Sequence, residues 1–455
     1  VILFATINPK SGYRIMHCYS RIAMAALVLA LGCLRLPADQ VSQITQYDFT
    51  WTFDKPVTAG KYVTGDWWVV GPVTVTSVSP APANGQNGSM INPKATPAQA
   101  YDNRGPGYDA SLSVNYPVTL TPGQSLISTE SLAHPGDVPP DSISHKGHPE
   151  DVLRAAAVLT CVAAPPPSDA FRPAYVGDWR ETYRVSQLRR DLLPALDPPA
   201  GELPDLAALN HKFERIWLDH RPDFTSGYFH PLANMPEYGR DITTPVSEAA
   251  LLLLLKNPDE TLLERMVQKG IDWYGVVLSN KRVWVANGGH DSGRKWPIIF
   301  AGLLLGNDQM MHVDATFAED EQTYYGKKFG STTDGPLFTL SPGAPNEKHE
   351  ETDPATWATD GKGINNGNRA DSYRKLNGPT WVGQALAARI MGATDLWNHP
   401  PYFDYVDRWV KENSPKFSGP FVVAMWNEYR AKADDLGADE KKKLAAEAAP
   451  APASH

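Results

Sequence analysis

Fourteen consecutive residues, Trp284-Val285-Ala286-Asn287-Gly288-Gly289-His290-Asp291-Ser292-Gly293-Arg294-Lys295-Trp296-Pro297, carry an amide, an imidazole, a carboxylate and two cations interleaved with three glycines. Glycine lets a backbone approach a ligand closely, and a polar loop ahead of a helix N-terminus favours anions. His290, Arg294 and Asn287 are the candidates for chemistry here. Asp291 and Lys295 are candidates for polar contact with a ligand, and Trp284 and Trp296 for flat apolar contact. The same residues also read as a helix connector, in which Asn287 and Asp291 cap backbone groups, Arg294 pairs with an acid and His290 is structural.

A second cluster, Asn365-Asn366-Gly367-Asn368-Arg369-Ala370-Asp371-Ser372-Tyr373-Arg374, precedes an expected helix at Pro379. Amides, arginines and a tyrosine suit sugar hydroxyls and carboxylates, because a guanidinium binds a carboxylate bidentately. Tyr373 is its catalytic candidate, and Asn366, Arg369 and Arg374 are its binding candidates; the alternative is a turn with a solvated charged face. A proline-rich loop, His230-Pro231-Leu232-Ala233-Asn234-Met235-Pro236-Glu237-Tyr238-Gly239-Arg240-Asp241, adds His230 and Tyr238. Asp320-Glu321-Gln322-Thr323-Tyr324-Tyr325 adds Tyr324, which reads equally as core or cleft wall. No nucleophile elbow, P-loop or dinucleotide fingerprint stands in a strand-turn-helix context. No Cys/His zinc spacing is present; a metal held by His220, His230, Asp241, His290 and Asp291 is an alternative whose spacing is unspecific. No cofactor is expected, although a structural Ca²⁺ on a loop is compatible with the composition.

Two kinds of element must position these groups. Over residues 46–163 the period is two: Tyr47, Phe49, Trp51 and Phe53 alternate with Asp48, Thr50 and Thr52, and residues 67–78 are β-branched and aromatic around Gly71-Pro72. Residues 111–120 and 152–162 read as further strands, separated by turn clusters such as Asn84-Gly85-Gln86-Asn87-Gly88. A β-sandwich over 39–175 is expected, then a linker over 176–202 that begins after Pro165-Pro166-Pro167. From about 203 to 437 the period is helical. Asp259 is placed to cap a helix reaching about residue 280, Pro297 to open one over 298–305, and Pro379 to open one over 380–391. The class is therefore α+β, with an all-α toroid-like or bundle domain after the sandwich and a frayed tail over 438–455.

Residues 1–38 read as an upstream extension followed by a secretory signal: Arg21, an apolar run over 23–31, and Leu36-Pro37-Ala38 as the cut site. A buried strand is the alternative. Ala30-Leu31-Gly32-Cys33 resembles a lipoprotein box, apart from its leucine, so Cys33 is a candidate lipid anchor and the one expected link to a membrane. Cleavage after Ala38 leaves Cys161 as the only cysteine, and an exported form (periplasmic, cell-surface or extracellular) must then be stabilised by packing. A net charge of −9 argues against a nucleic-acid binder. Thirteen tryptophans mean large cores or surfaces for flat ligands.

A signal peptide, a β domain and a helical cleft together resemble an exported carbohydrate-active enzyme, and the helical half resembles the toroid polysaccharide lyases. The β domain comes first here, which departs from the order in the chondroitin and hyaluronate lyases. The resemblance implies a uronate polysaccharide as substrate and β-elimination as the reaction: Asn287 and Arg294 neutralise the carboxylate, His290 is the base, and Tyr373 or Tyr324 is the acid. Glycoside hydrolysis is the alternative. It needs two carboxylates about 5–9.5 Å apart, with Asp291, Glu237, Asp241, Glu321 and Asp371 as candidates. A non-catalytic surface glycan binder with tryptophan platforms, Trp67-Trp68 and Trp296 among them, is the third reading.

Overall fold

The computed structural model describes residues 39–143, 148–236, 238–343, 348–359 and 365–448. The proposed leader, Cys33 and Glu237 lie outside the described residues. The strands are β1 (Asp39–Gln46), β2 (Phe49–Lys61), β3 (Trp67–Val70), β4 (Val73–Ser79), β5 (Ser89–Ile91), β6 (Val118–Leu120), β7 (Ser125–Ser131) and β8 (Leu153–Val162), followed much later by β9 (Thr323–Gly326) and β10 (Gly335–Phe338). The helices are α1 (Leu206–Phe213), α2 (Gly239–Leu252), α3 (Glu260–Ser279), α4 (Lys295–Leu305), α5 (Asp308–Met311), α6 (Ala318–Glu321), α7 (Asn366–Ile390), α8 (Thr394–Trp397), α9 (Pro400–Asn413), α10 (Pro420–Tyr429) and α11 (Ala433–Ala448). The protein is mixed α+β.

β1 to β8 join into one sheet in the order β5-β7-β8-β3-β2-β4-β6, with β1 added to β2. Every neighbouring pair is antiparallel except β3 with β8. The sheet curls. Trp51 on β2 donates its indole N–H to Ser128 Oγ on β7 at 3.1 Å, although two strands separate β2 from β7 in the sheet. Phe49, Trp51, Phe53, Val75, Leu126, Ala155, Leu159 and Cys161 fill the space this curl encloses. A single rolled sheet supplies both walls of that core, where the sequence suggests two stacked sheets. Residues 111–116 do not form the expected strand; a short turn at Ala110–Leu112 leads to the three-residue β6.

The outer face of β8 presents Leu153, Ala156 and Val158 to the helices, and these residues share one core with α2, α3, α4, α7 and α9. Residues 176–202 are packed against the same core through Val176, Leu188, Leu192 and Leu196. The seam is stapled by Arg172, fully buried, which donates to Asp66 at 2.8 Å and to both oxygens of Asp272 on α3 at 2.9 and 2.7 Å. Local signals place several ends as expected: Asp259 Oδ1 accepts from Leu262 N–H at 2.7 Å, and Pro297 sits in the first turn of α4. Others are overridden by packing. α7 runs through Pro379, which lies within the helix, so 366–374 is the first part of a helix and not a loop. α11 continues to Ala448, well into the expected tail, with Leu436 and Leu444 packed on the core and Lys441 paired to Asp395 at 2.7 Å.

Candidate functional site

Three elements converge on the glycine-rich segment. α2 starts at Gly239, where any Cβ would lie 2.0 Å from the His290 carbonyl oxygen, so only glycine admits the contact. The next amide, Arg240 N–H, donates to the Gly289 carbonyl at 3.1 Å and docks the segment on the helix N-terminus. Gly288 takes a left-handed conformation (φ +62°), and its carbonyl accepts from the amides of Asn377 on α7 at 2.8 Å and Gln322 at 2.5 Å. The ring of Tyr373, also on α7, lies over Gly288, where a Cβ would come within 2.8 Å of it.

His290 is thereby held half-buried with its imidazole centroid 4.2 Å from the ring of Tyr238. Tyr238, Tyr373, Arg240, Asp241, Arg369 and His148 line a cavity of about 520 Å³. Burial, reinforced by Arg294, His230, His148 and Arg240, pushes the His290 pKa down to about 4, so at neutral pH the imidazole is uncharged and able to accept a proton. The Tyr238 phenol is raised, by burial first and then by Tyr373. Two phenols and two guanidinium groups around one cavity, with a neutral imidazole packed against one of the phenols, can remove a proton and hold an anion.

Beneath this surface lies a buried charged layer. Arg294 is fully buried and donates to both oxygens of Asp219, at 2.7 and 3.0 Å, and to the carbonyls of His290 at 3.0 Å and Ser292 at 2.8 Å. Burial alone would raise the Asp219 carboxyl, but Arg294 and then His230 hold it down at about 2. His230 is buried, with Nε2 3.7 Å from Asp219 and Nδ1 2.9 Å from the Pro236 carbonyl. Burial pushes Asp291 well above the usual carboxylate range and Glu319 up to about 7. Glu319 accepts from Gly293 N–H at 3.2 Å, while one oxygen of each of these two carboxyls has no hydrogen-bond partner.

The structure therefore brings together His290, Tyr238, Tyr373 and Arg369, with Asn287 exposed on the same segment. It withdraws others from substrate. Arg294 is saturated by Asp219 and two carbonyls, and so braces the segment as the connector reading has it. Lys295 pairs with Asp320 at 2.5 Å and donates to the Trp397 carbonyl. Asp291 and His230 belong to the buried layer. Trp284 and Trp296 are fully buried in the core, where no sugar can stack on them. Arg374 lies over Trp409 and pairs with Asp371 at 2.9 Å and Glu412 at 3.3 Å. Asn366 is in the first turn of α7, its N–H given to the Ala358 carbonyl. Tyr324 is on β9, where Lys348 lies 5.9 Å from its ring.

Among the described residues, no group of three or more His, Cys, Asp or Glu is placed to hold a metal ion. No described helix is long and apolar enough to cross a membrane. Arg240 and His148 were not among the residues the sequence singles out. Arg240 falls within the Tyr238–Asp241 stretch, whereas His148 carries no signal, because its role depends on a fold-back of the β half. Compared with known protein families, curated proteins and solved structures, the chain matches none.

Proposed function

We propose that this protein is an exported enzyme that cleaves an acidic, uronate-containing polysaccharide by β-elimination. The observation that carries the reading is the neutral His290 imidazole set 4.2 Å from the ring of Tyr238, which itself lines a cavity with Tyr373, Arg240 and Arg369. The imidazole takes the proton on the carbon α to the uronate carboxylate. Arg240, Arg369 and the Asn287 amide meet the charge that develops on the carboxylate, which is where stabilisation lowers the barrier most. The electron pair forms the new carbon–carbon double bond as the bond to the 4-oxygen breaks, and Tyr373 gives its phenolic proton to that leaving oxygen. On this reading the helix pairs α2 with α7 and α3 with α4 are part of an incomplete toroid-like wall, and the curled sheet is the sandwich-like accessory layer.

Carboxylate-pair hydrolysis has less support among the described residues. Asp241 alone of the described candidates lines the cavity; Asp291 is buried, Asp371 is tied to Arg374 and Lys375, and Glu321 accepts from Ala286 N–H at 2.7 Å. The test mixes residues 39–455 with a panel of uronate and neutral polysaccharides, following ultraviolet absorbance of unsaturated uronate together with new reducing ends. Both signals are expected. Reducing ends without absorbance would replace elimination by hydrolysis, and glycan binding with neither signal would leave a binding protein.

A further inference from the structure

An arc of rings leads away from the catalytic imidazole. His148 stacks on Tyr228 with centroids 5.1 Å apart, Tyr228 meets Phe224 edge-on at 6.4 Å, Phe224 lies 6.0 Å from His290, and His290 lies 4.2 Å from Tyr238. Both ends of the arc, His148 and Tyr238, line the cationic cavity. Phe224 is the ring left open, at 48% exposure, while Phe229 five residues on is buried beneath Arg221 and anchors the turn from behind. The residue before it is strained: Asp223 has φ +75° and ψ 166°, a region that side chains rarely adopt. It is held there by its own carboxylate, which accepts from Thr225 N–H at 2.7 Å and Thr225 Oγ1 at 2.6 Å.

An isolated exposed phenylalanine needs no explanation. One presented on strained backbone, in contact with the base and continuous with a cavity rimmed by arginines, does. We infer that Phe224 is a binding platform for the apolar face of a pyranose ring, the sugar next to the one whose proton His290 removes. The occupant is a sugar of the same acidic chain, because both ends of the arc line the cavity that Arg240 and Arg369 also line, so a chain seated on Phe224 brings a carboxylate toward those guanidinium groups. Phe224 thereby takes the stacking role that the buried Trp284 and Trp296 cannot fill. The inference rests on the elimination reading for its register and deepens it by naming the residue that holds the neighbouring sugar of the chain.

The test compares wild type, Phe224→Ala and Phe224→Tyr on alginate- and hyaluronate-derived oligosaccharides from disaccharide to octasaccharide, with initial rates and calorimetric binding. Phe224→Ala is expected to raise KM about five- to tenfold on the long oligosaccharides, with kcat and the shortest cleavable substrate unchanged, and Phe224→Tyr to restore wild-type KM. Cleavage with KM unchanged by Phe224→Ala at every length, or raised equally at every length, overturns the platform and leaves elimination standing. Binding that depends on Phe224 without any cleavage supports the platform and overturns elimination. Neither binding nor cleavage overturns both.

Discussion

The molecule contains two buried arginine clusters built from the same parts and finished differently. At the seam between sheet and helices, Arg172 meets Asp66 and Asp272, and all four carboxylate oxygens are hydrogen-bonded, with Gln46 and Thr64 completing Asp66. Beneath His290, Arg294 meets Asp219 alone, while Asp291 and Glu319 crowd in with one unpartnered oxygen each. The first cluster ties elements together with every carboxylate oxygen hydrogen-bonded, although burial raises Asp272 and holds the neighbouring Lys269 down at about 7. The second differs in leaving buried carboxylate oxygens without partners, a deficit that folding alone does not call for and that is found where proteins do chemistry. The comparison assigns the first cluster to the fold and the second to the site.

The harshest way to break that contrast is Arg172→Met, which leaves two buried carboxylates without their cation. It is expected to cost about 3–5 kcal/mol in denaturant unfolding, with activity per folded molecule retained; a cost within experimental error would remove the staple. His290→Ala sharpens the other side. Its kcat on the substrate found by the panel should fall about 10²–10⁴-fold with Tm nearly unchanged. In the wild type, the acid limb of kcat/KM should sit near pH 4, where the buried imidazole gains its proton, and a limb at the ordinary histidine value would refute the buried-base assignment. The smallest effect is expected from Glu319→Gln. Because burial raises the folded pKa of Glu319 to about 7, the folded state holds a proton the unfolded chain has released. The associated stability is full below about pH 4.5 and is lost as pH rises through 7. The amide removes that dependence: the variant should match wild type at pH 4.5 and exceed it by about 1–3 kcal/mol at pH 8. Parallel stability–pH curves would show that Glu319 is ionised throughout.

Asp259, Pro297 and the alternation of β2 were legible because caps, proline and two-residue periods are properties of a few neighbouring residues. The polar content of residues 287–294 was legible for the same reason, and so was the alternative in which Arg294 serves an acid and not a ligand. Which acid was not legible, since Asp219 lies 75 residues away. Pro379 misled, because a missing N–H normally ends a helix, yet Trp381, Val382 and Leu386 on one side and Gly367 and Ala370 on the other are buried in the same α7. Tryptophan count left cores and platforms open, and Trp284 and Trp296 are in the core. Residue type says that a ring can stack; its burial decides whether a sugar reaches it.

By itself the sequence determined the two periods, the α+β class, the helix starts near Asp259 and Pro297 and the inventory of reactive groups, all of which follow from local sterics and spacing. The tertiary structure decided that the strands roll into one sheet and that Trp284, Trp296, Arg294 and Asp291 are withdrawn from solvent. It also decided that Tyr238 and Tyr373, from separate elements, line one cavity, with His290 packed against Tyr238. Proximity and desolvation arise from contacts between residues far apart in the chain, and it is desolvation that takes the His290 imidazole from the ordinary histidine value down to about 4.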